Sequence, residues 1–323
     1  MFRIWQKTPY PVNYVIACKK HRATLRWPTF VVILAALFLS GCRQQVTKSV
    51  TTLVPESTHT RILLPTAIPT LTSSPPQEPT ATPGCEQVAG KLESGSYQSG
   101  VIAKEIRVIV YLPPCYGMND QQYPVVYALH GYPLDEKHWL ELTIIETIES
   151  GYRSGKWPHF LVVLPQIPDD LNVRTDGGEG SYEEEFISGL VPYIVERYRV
   201  REGADSTALA GVSRGGVWSL EIGLRNPDAF GSVAALSPAL HVSYPRPAFD
   251  PFVIVREAVS LPDRLFLSAG LDEGGFHDKT VELSLLLDSL DIPHTYLETP
   301  GAHETSTWIG IMGDLITFLT GTW

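Results

Sequence analysis

The stretch Leu209-Ala210-Gly211-Val212-Ser213-Arg214-Gly215-Gly216 limits what this chain can fold into more than any other. It reads G-x-S-x-G-G, with the short apolar run Ser206-Thr207-Ala208-Leu209-Ala210 before it. A helical pattern from Trp218 to Arg225 follows and stops at Asn226-Pro227. In a strand–turn–helix setting such a turn is sharp enough to strain the serine backbone and hold Oγ clear of the sheet edge. Gly211 and Gly215 are needed because a Cβ at either position would collide with the neighbouring strand or helix. Ser213 then heads a helix whose dipole favours a developing negative charge.

Around this turn, strand and helix signals alternate with short connections from Cys85 onward, the pattern of an α/β domain. Ile106–Leu112 is expected as an early strand paired with the segment near Tyr97. Pro124–Leu129 and Phe160–Pro165 are continuous apolar runs, as expected of strands buried on both faces. Ser232–Leu236, Arg264–Gly270 and Thr295–Glu298 complete the set. Phe186, Leu190, Ile194 and Tyr198 share one face of a helix expected over Tyr182–Arg199, with further helices over Lys279–Leu290 and Ile309–Leu319. The expected fold is a single α/β domain over residues 85–323, a mostly parallel sheet flanked by helices.

The N-terminal quarter has a different character. Residues 1–84 hold nine Lys/Arg against Glu56 and Glu78, whereas residues 85–323 hold sixteen against thirty-three, within a net charge of −10. A body this acidic is repelled by nucleic acid and by anionic lipid. Ahead of residue 42 there are only basic charges, then the apolar run Phe30–Leu39. That run is too short to span a bilayer, which takes roughly 20 apolar residues, and suits the h-region of an export signal. It ends Leu39-Ser40-Gly41-Cys42, which resembles the lipobox of bacterial lipoproteins. The resemblance implies a signal peptide over residues 1–41 and lipid on the Cys42 sulfur, so the membrane is met only through that lipid. Residues 42–84 are rich in threonine and proline, without apolar periodicity, and read as a disordered linker. About 40 residues at about 3.1 Å each allow a reach of at most about 120 Å.

Four segments, Leu129-His130-Gly131, the turn around Ser213, Gly270-Leu271-Asp272 and Pro300-Gly301-Ala302-His303-Glu304, stand in order along the body. In that order and spacing the body resembles the esterase D-like family of the α/β-hydrolases over residues 97–320. That family includes feruloyl and acetyl-xylan esterases, S-formylglutathione hydrolases, siderophore esterases and mycolyl transferases. A serine hydroxyl needs an adjacent base to act as a nucleophile, and His303, on the loop after the last strand, is the candidate. The resemblance implies Asp272 as the acid that orients His303, while Glu273 and Asp278 lie close by in the same glycine-rich loop. A tetrahedral oxyanion needs backbone N–H donors. The one following the nucleophile is Arg214, and the resemblance implies Tyr132 as the other. The Arg214 side chain is placed to line the substrate mouth, and His130 to brace its loop. His138, His159, His241, His277 and His294 lack the placement of His303 and read as solvated or packing residues.

Cys18 would leave with the signal and Cys42 would carry the lipid, which leaves Cys85 and Cys115. Two cysteines in an exported body are expected to pair, and closing that loop is worth roughly 3–4 kcal/mol on the chain-entropy model. No cofactor and no metal site are implied. The expected activity is hydrolysis of carboxylic esters through an acyl-serine, on a small-molecule or glycan ester, with feruloyl or acetyl glycans foremost. The alternatives are an acyltransferase of the mycolyl-transferring kind and a non-catalytic surface binding protein. Tyr132, Trp139 and the Pro238–Leu261 segment are expected to form the mouth.

Overall fold

The computed structural model describes residues 86–118, 120–172 and 175–323. The signal over residues 1–41, Cys42, the linker and Cys85 lie outside the described residues. Eight strands form one sheet: β1 (Lys91–Gln98), β2 (Glu105–Leu112), β3 (Val125–Leu129), β4 (Leu161–Pro165), β5 (Thr207–Val212), β6 (Ser232–Leu236), β7 (Arg264–Gly270) and β8 (Thr295–Thr299). Their order is β1-β2-β4-β3-β5-β6-β7-β8. β1 and β2 form an antiparallel hairpin with Tyr97 opposite Ile106, and β2 meets β4 antiparallel. All remaining pairings are parallel.

The apolar runs explain this placement. Every residue of β3, β4 and β6 is buried, as required of strands covered on both faces. Along β3, Val125, Tyr127 and Leu129 face one apolar layer with Phe186, Trp218 and Phe230. Val126 and Ala128 face the other, with Trp139, Ile148, Leu315 and Leu319, in the period-two alternation of a strand. Trp218, fully buried, also donates its indole N–H to Asn172 Oδ1 at 3.0 Å. Truncating such a residue to alanine costs about 3–5 kcal/mol.

Two expected helices are broken, the first where the sequence explains it. Tyr182–Arg199 is helical only to Arg197, and its middle, Phe186–Leu190, widens into a π-helical turn before Val191–Arg197. Pro192 has no N–H to give the preceding turn and its ring crowds the carbonyl four residues back, which the wider turn accommodates. The expected face survives, with Phe186, Leu190 and Ile194 fully buried. The closing helix is two pieces, Thr305–Gly310 and Met312–Thr320, divided at Ile311.

Candidate active site

The parallel strands deliver their following loops to one edge of the sheet, the edge where open α/β sheets bind ligands. His130 follows β3, Ser213 follows β5, Ser237 follows β6, Glu273 follows β7 and His303 follows β8. Ser213 caps the helix Arg214–Arg225 with φ 56° and ψ −118°, a region costly for a residue with a Cβ. A Cβ on Gly211 would fall 2.0 Å from Gly215 O, and one on Gly215 would fall 2.3 Å from Leu129 O. Strand and helix therefore cross at a distance only glycine allows. The strained turn is pinned at both ends: Ser213 N–H donates to Leu236 O at 2.9 Å, and Ala239 N–H donates to Ser213 O at 3.0 Å.

His303 Nε2 lies 2.9 Å from Ser213 Oγ, hydrogen-bond distance for proton transfer. Gly301, at φ +120°, turns the chain after β8 so that the ring reaches back across the sheet edge. Phe276 stacks on the imidazole at 3.6 Å between centroids, and the edge of Trp308 meets it at 4.9 Å.

The structure does not bring Asp272 to this imidazole. Asp272 is exposed, and the carboxylate facing His303 Nδ1 is Glu273, with Oε2 at 3.6 Å and no side-chain exposure. β7 ends at Gly270, and Glu273 N–H returns to Gly270 O at 3.2 Å. That turn leaves Asp272 on its outer corner and carries the next side chain inward. Glu273 Oε2 and His303 Nδ1 are each buried without another hydrogen-bond partner, so each is the other's match. The remaining oxygen is fixed by a relay: Trp308 Nε1–H donates to Ser237 Oγ at 2.9 Å, and Ser237 Oγ–H donates to Glu273 Oε1 at 2.7 Å. Asp278, the other nearby acid, is exposed and pairs with His277.

Gly131 packs against Ser213, since a Cβ on it would lie 3.3 Å from Ser213 Cβ. This brings the following residue, Tyr132, beside the nucleophile. Among the described residues the backbone N–H groups of Tyr132 and Arg214 donate to no other protein group. Two histidines brace that loop. His130 Nε2 accepts from Ile167 N–H at 2.8 Å, and its Nδ1 bonds Gly131 O at 2.9 Å. His138 Nδ1 accepts from Gly131 N–H at 3.2 Å, and burial, then the neighbouring His130, lowers its pKa to about 4. The acceptor role needs the neutral ring that this shift secures.

Sequence reasoning missed Glu273, the Ser237–Trp308 relay, Phe276 and the service of His138. Glu273 had left a sequence signal, standing beside Asp272 in the same loop, and so had Trp308, which follows His303 as the tryptophan of the family's G-x-H…W pattern. The expected mouth is also corrected in one respect: Trp139 is fully buried in the core and takes no part. Tyr132 and Tyr244 are exposed as expected, joined by Leu134, Val242 and Leu271 on the loops after β3, β6 and β7. A cavity of about 280 Å³ adjoins, lined by Val217, Leu240, His241, Tyr244, Phe252 and Lys279. Val217 lies one helical turn beyond Ser213, and His241 meets Phe276 edge-on at 4.2 Å. The larger cavity of about 690 Å³, near Leu112 and Tyr116, contains none of these residues. Cys115 is disulfide-bonded, and its N–H donates to Gln87 Oε1 at 2.9 Å, so the chain just after Cys85 runs beside it.

A strained serine after β5, a histidine after β8 and a buried acid after β7, on a sheet of this order, define the α/β-hydrolase class. Residues 99–309 match the family described as Esterase, Putative esterase, and the chain belongs to it. It is a serine ester hydrolase acting on carboxylic esters. A curated relative, the endo-1,4-beta-xylanase/feruloyl esterase of Xylanibacter ruminicola, is 28% identical over 156 residues, 46% of this chain and 22% of that protein. Among solved structures, a ferulic acid esterase superposes with TM-score 0.65 at 22% identity, covering 72% of this chain and 98% of its own. The S-formylglutathione hydrolase FrmB of Staphylococcus aureus gives 0.62 at 17% identity, covering 72% and 99%.

Proposed function

We propose that Ser213, His303 and Glu273 form the catalytic triad of an exported, lipid-anchored esterase that cleaves acyl groups, feruloyl among them, from glycans. The observation that carries the triad is the 2.9 Å approach of His303 Nε2 to Ser213 Oγ, backed by a buried carboxylate. Ser213 Oγ attacks the ester carbonyl carbon while its proton passes to His303 Nε2. The negative oxygen of the tetrahedral intermediate takes hydrogen bonds from the N–H groups of Tyr132 and Arg214. Collapse breaks the bond to the leaving alcohol, which receives the proton from Nε2. Water then enters, gives its proton to Nε2 and attacks the acyl-serine carbonyl; collapse breaks the bond to Ser213 Oγ, which takes the proton back from Nε2 as the carboxylic acid leaves. Throughout, Glu273 holds the Nδ1–H tautomer and balances the imidazolium charge.

The substrate reading rests on shape and chemistry. The exposed rim of Tyr132, Leu134, Val242, Tyr244 and Leu271 suits an aryl or short acyl group. The Pro238–Leu261 segment, short helical turns and the helix Pro251–Glu257, supplies no large lid. The relatives named for feruloyl esterase activity support the aryl choice. Export and anchoring rest on Phe30–Leu39 and Leu39-Ser40-Gly41-Cys42, and a tethered enzyme reaches polymers near its own membrane.

The test is a hydrolysis panel on residues 85–323: feruloyl and acetyl sugars, siderophore esters and p-nitrophenyl esters of graded length. Feruloyl or acetyl sugars are expected to lead, with Ser213→Ala inactive and unlabelled by a fluorophosphonate. Preference for acyl chains of about twelve carbons or more would overturn the glycan reading, and labelling of Ser213→Ala would overturn the nucleophile.

A further inference from the structure

The residue that follows the nucleophile carries an unspent charge. The Arg214 guanidinium is part-buried at the start of the helix Arg214–Arg225, beside Ser213. Among the described residues the other part-buried or paired cations are accounted for. Arg107, Arg199, Arg225, Arg246, Lys91, Lys104 and Lys279 hold carboxylates, Arg201 holds Ser206 Oγ, Arg256 holds the Phe252 carbonyl, and Arg197, Arg264 and Lys156 lie over aromatic rings. Lys137 and Arg153 have no such partner, but both are exposed to water. Among the described residues Arg214 makes no hydrogen bond, ion pair or ring contact of this kind. Burial lowers its pKa, opposed by the nearby Tyr132 phenol.

A guanidinium stripped of part of its water and given no acid in return is costly to the empty enzyme. An anionic ligand that forms two parallel N–H···O bonds with it recovers that cost. A neutral ester recovers none of it. The surrounding body carries a large excess of acidic residues, so its long-range field does not collect anions. Discrimination must therefore come from the contact itself. The placement puts the anion within one arginine side chain's reach of the ester carbonyl, because Arg214 directly follows the nucleophile.

We infer that the Arg214 side chain is a specificity-determining group that selects esters bearing a carboxylate, on either the acyl part or the alcohol part. This inference rests on the esterase reading above; with a glycan as the alcohol, the alcohol-side case is a sugar ester of a uronate-containing glycan. The acyl-side case is the half-ester of a dicarboxylic acid.

The experiment measures kcat/KM for wild type, Arg214→Met and Arg214→Lys, at low and high salt, on two matched pairs. p-Nitrophenyl butyrate against mono-p-nitrophenyl glutarate places the carboxylate on the acyl side. 4-Acetoxybenzamide against 4-acetoxybenzoate places it on the alcohol side. Fluorophosphonate labelling of Ser213 in each variant shows that the nucleophile is intact. In at least one pair, the anionic-to-neutral ratio is expected to be about 10-fold or more higher in wild type than in Arg214→Met. Arg214→Lys should be intermediate, because it keeps the charge without the planar fork, and the wild-type ratio should fall with salt. The pair that responds names the side on which the carboxylate sits. Equal ratios in all three proteins, with neutral esters still cleaved, would overturn the role of Arg214 and leave the esterase reading standing. Failure of wild type on all four esters would overturn that reading, and this inference with it.

Discussion

Glu273→Gln separates the two neighbouring acids, and the structure fixes how the new amide must sit. Ser237 Oγ spends its acceptor side on Trp308 Nε1–H and donates its proton to position 273. An amide oxygen can accept that proton and an amide nitrogen cannot, so the oxygen stays on Ser237 and the NH2 group turns to His303. The ring must then present an unprotonated Nδ1, which places its proton on Nε2, the atom that has to accept from Ser213. The imidazolium formed on attack also loses its counter-charge. At 3.6 Å, with an effective dielectric of about 20, that attraction is roughly 4–5 kcal/mol before desolvation is subtracted. Together the wrong tautomer and the missing charge place the loss in kcat/KM at about 10³- to 10⁴-fold. Asp272→Asn, on an exposed corner, is expected to stay within about 3-fold of wild type. The assay is steady-state hydrolysis of a short p-nitrophenyl ester, with circular dichroism to show that both variants fold. A crippled Asp272→Asn beside an active Glu273→Gln would refute the assignment.

Glu221, fully buried, has its pKa pushed up to about 9, by burial first and then by the charge of Glu183. Its folded value lies above the unfolded one near 4.3, so its contribution is fully present below that pH and is lost as pH rises through about 9. Glu221→Gln removes this penalty, by at most about 4 kcal/mol at neutral pH. Its Tm advantage over wild type should be larger at pH 8 than at pH 5, and a constant or opposite difference would show Glu221 to be charged. Because Cys115 is disulfide-bonded, the non-reduced body should show no free thiol, and Cys85→Ser or Cys115→Ser a single one by Ellman titration; two free thiols in the unmutated body would exclude the bridge. If Cys42 carries lipid, wild type should fractionate with membranes and Cys42→Ser should not, and soluble unmodified wild type would count against the anchor.

How much of this was legible in the sequence differs by element. The buried strands read directly because β3, β4 and β6 are uninterrupted apolar runs, and the turn at Ser213 because its glycines are contact requirements. The His303 position followed from its place after the last strand. The acid was not legible in the same way. Asp272 and Glu273 are adjacent carboxylates, and only the turn closed by Glu273 N–H on Gly270 O decides which one faces inward. Trp139 was misplaced for a related reason, since an aromatic near a mouth and one beneath it read alike until burial is known. The π turn at Phe186–Leu190 needed the competition between Pro192 and a continuous helix to be resolved in three dimensions.

The relay Trp308–Ser237–Glu273–His303–Ser213 draws on the chain beyond β5, β6, β7 and β8. No two successive links of it belong to one stretch of local structure, so it exists only while those four strand ends stay in register. Partial opening at any one of them silences the enzyme although most of its packing remains. Turnover is thus a more sensitive gauge of sub-global opening than any bulk spectroscopic signal, and on heating it should vanish before ellipticity does.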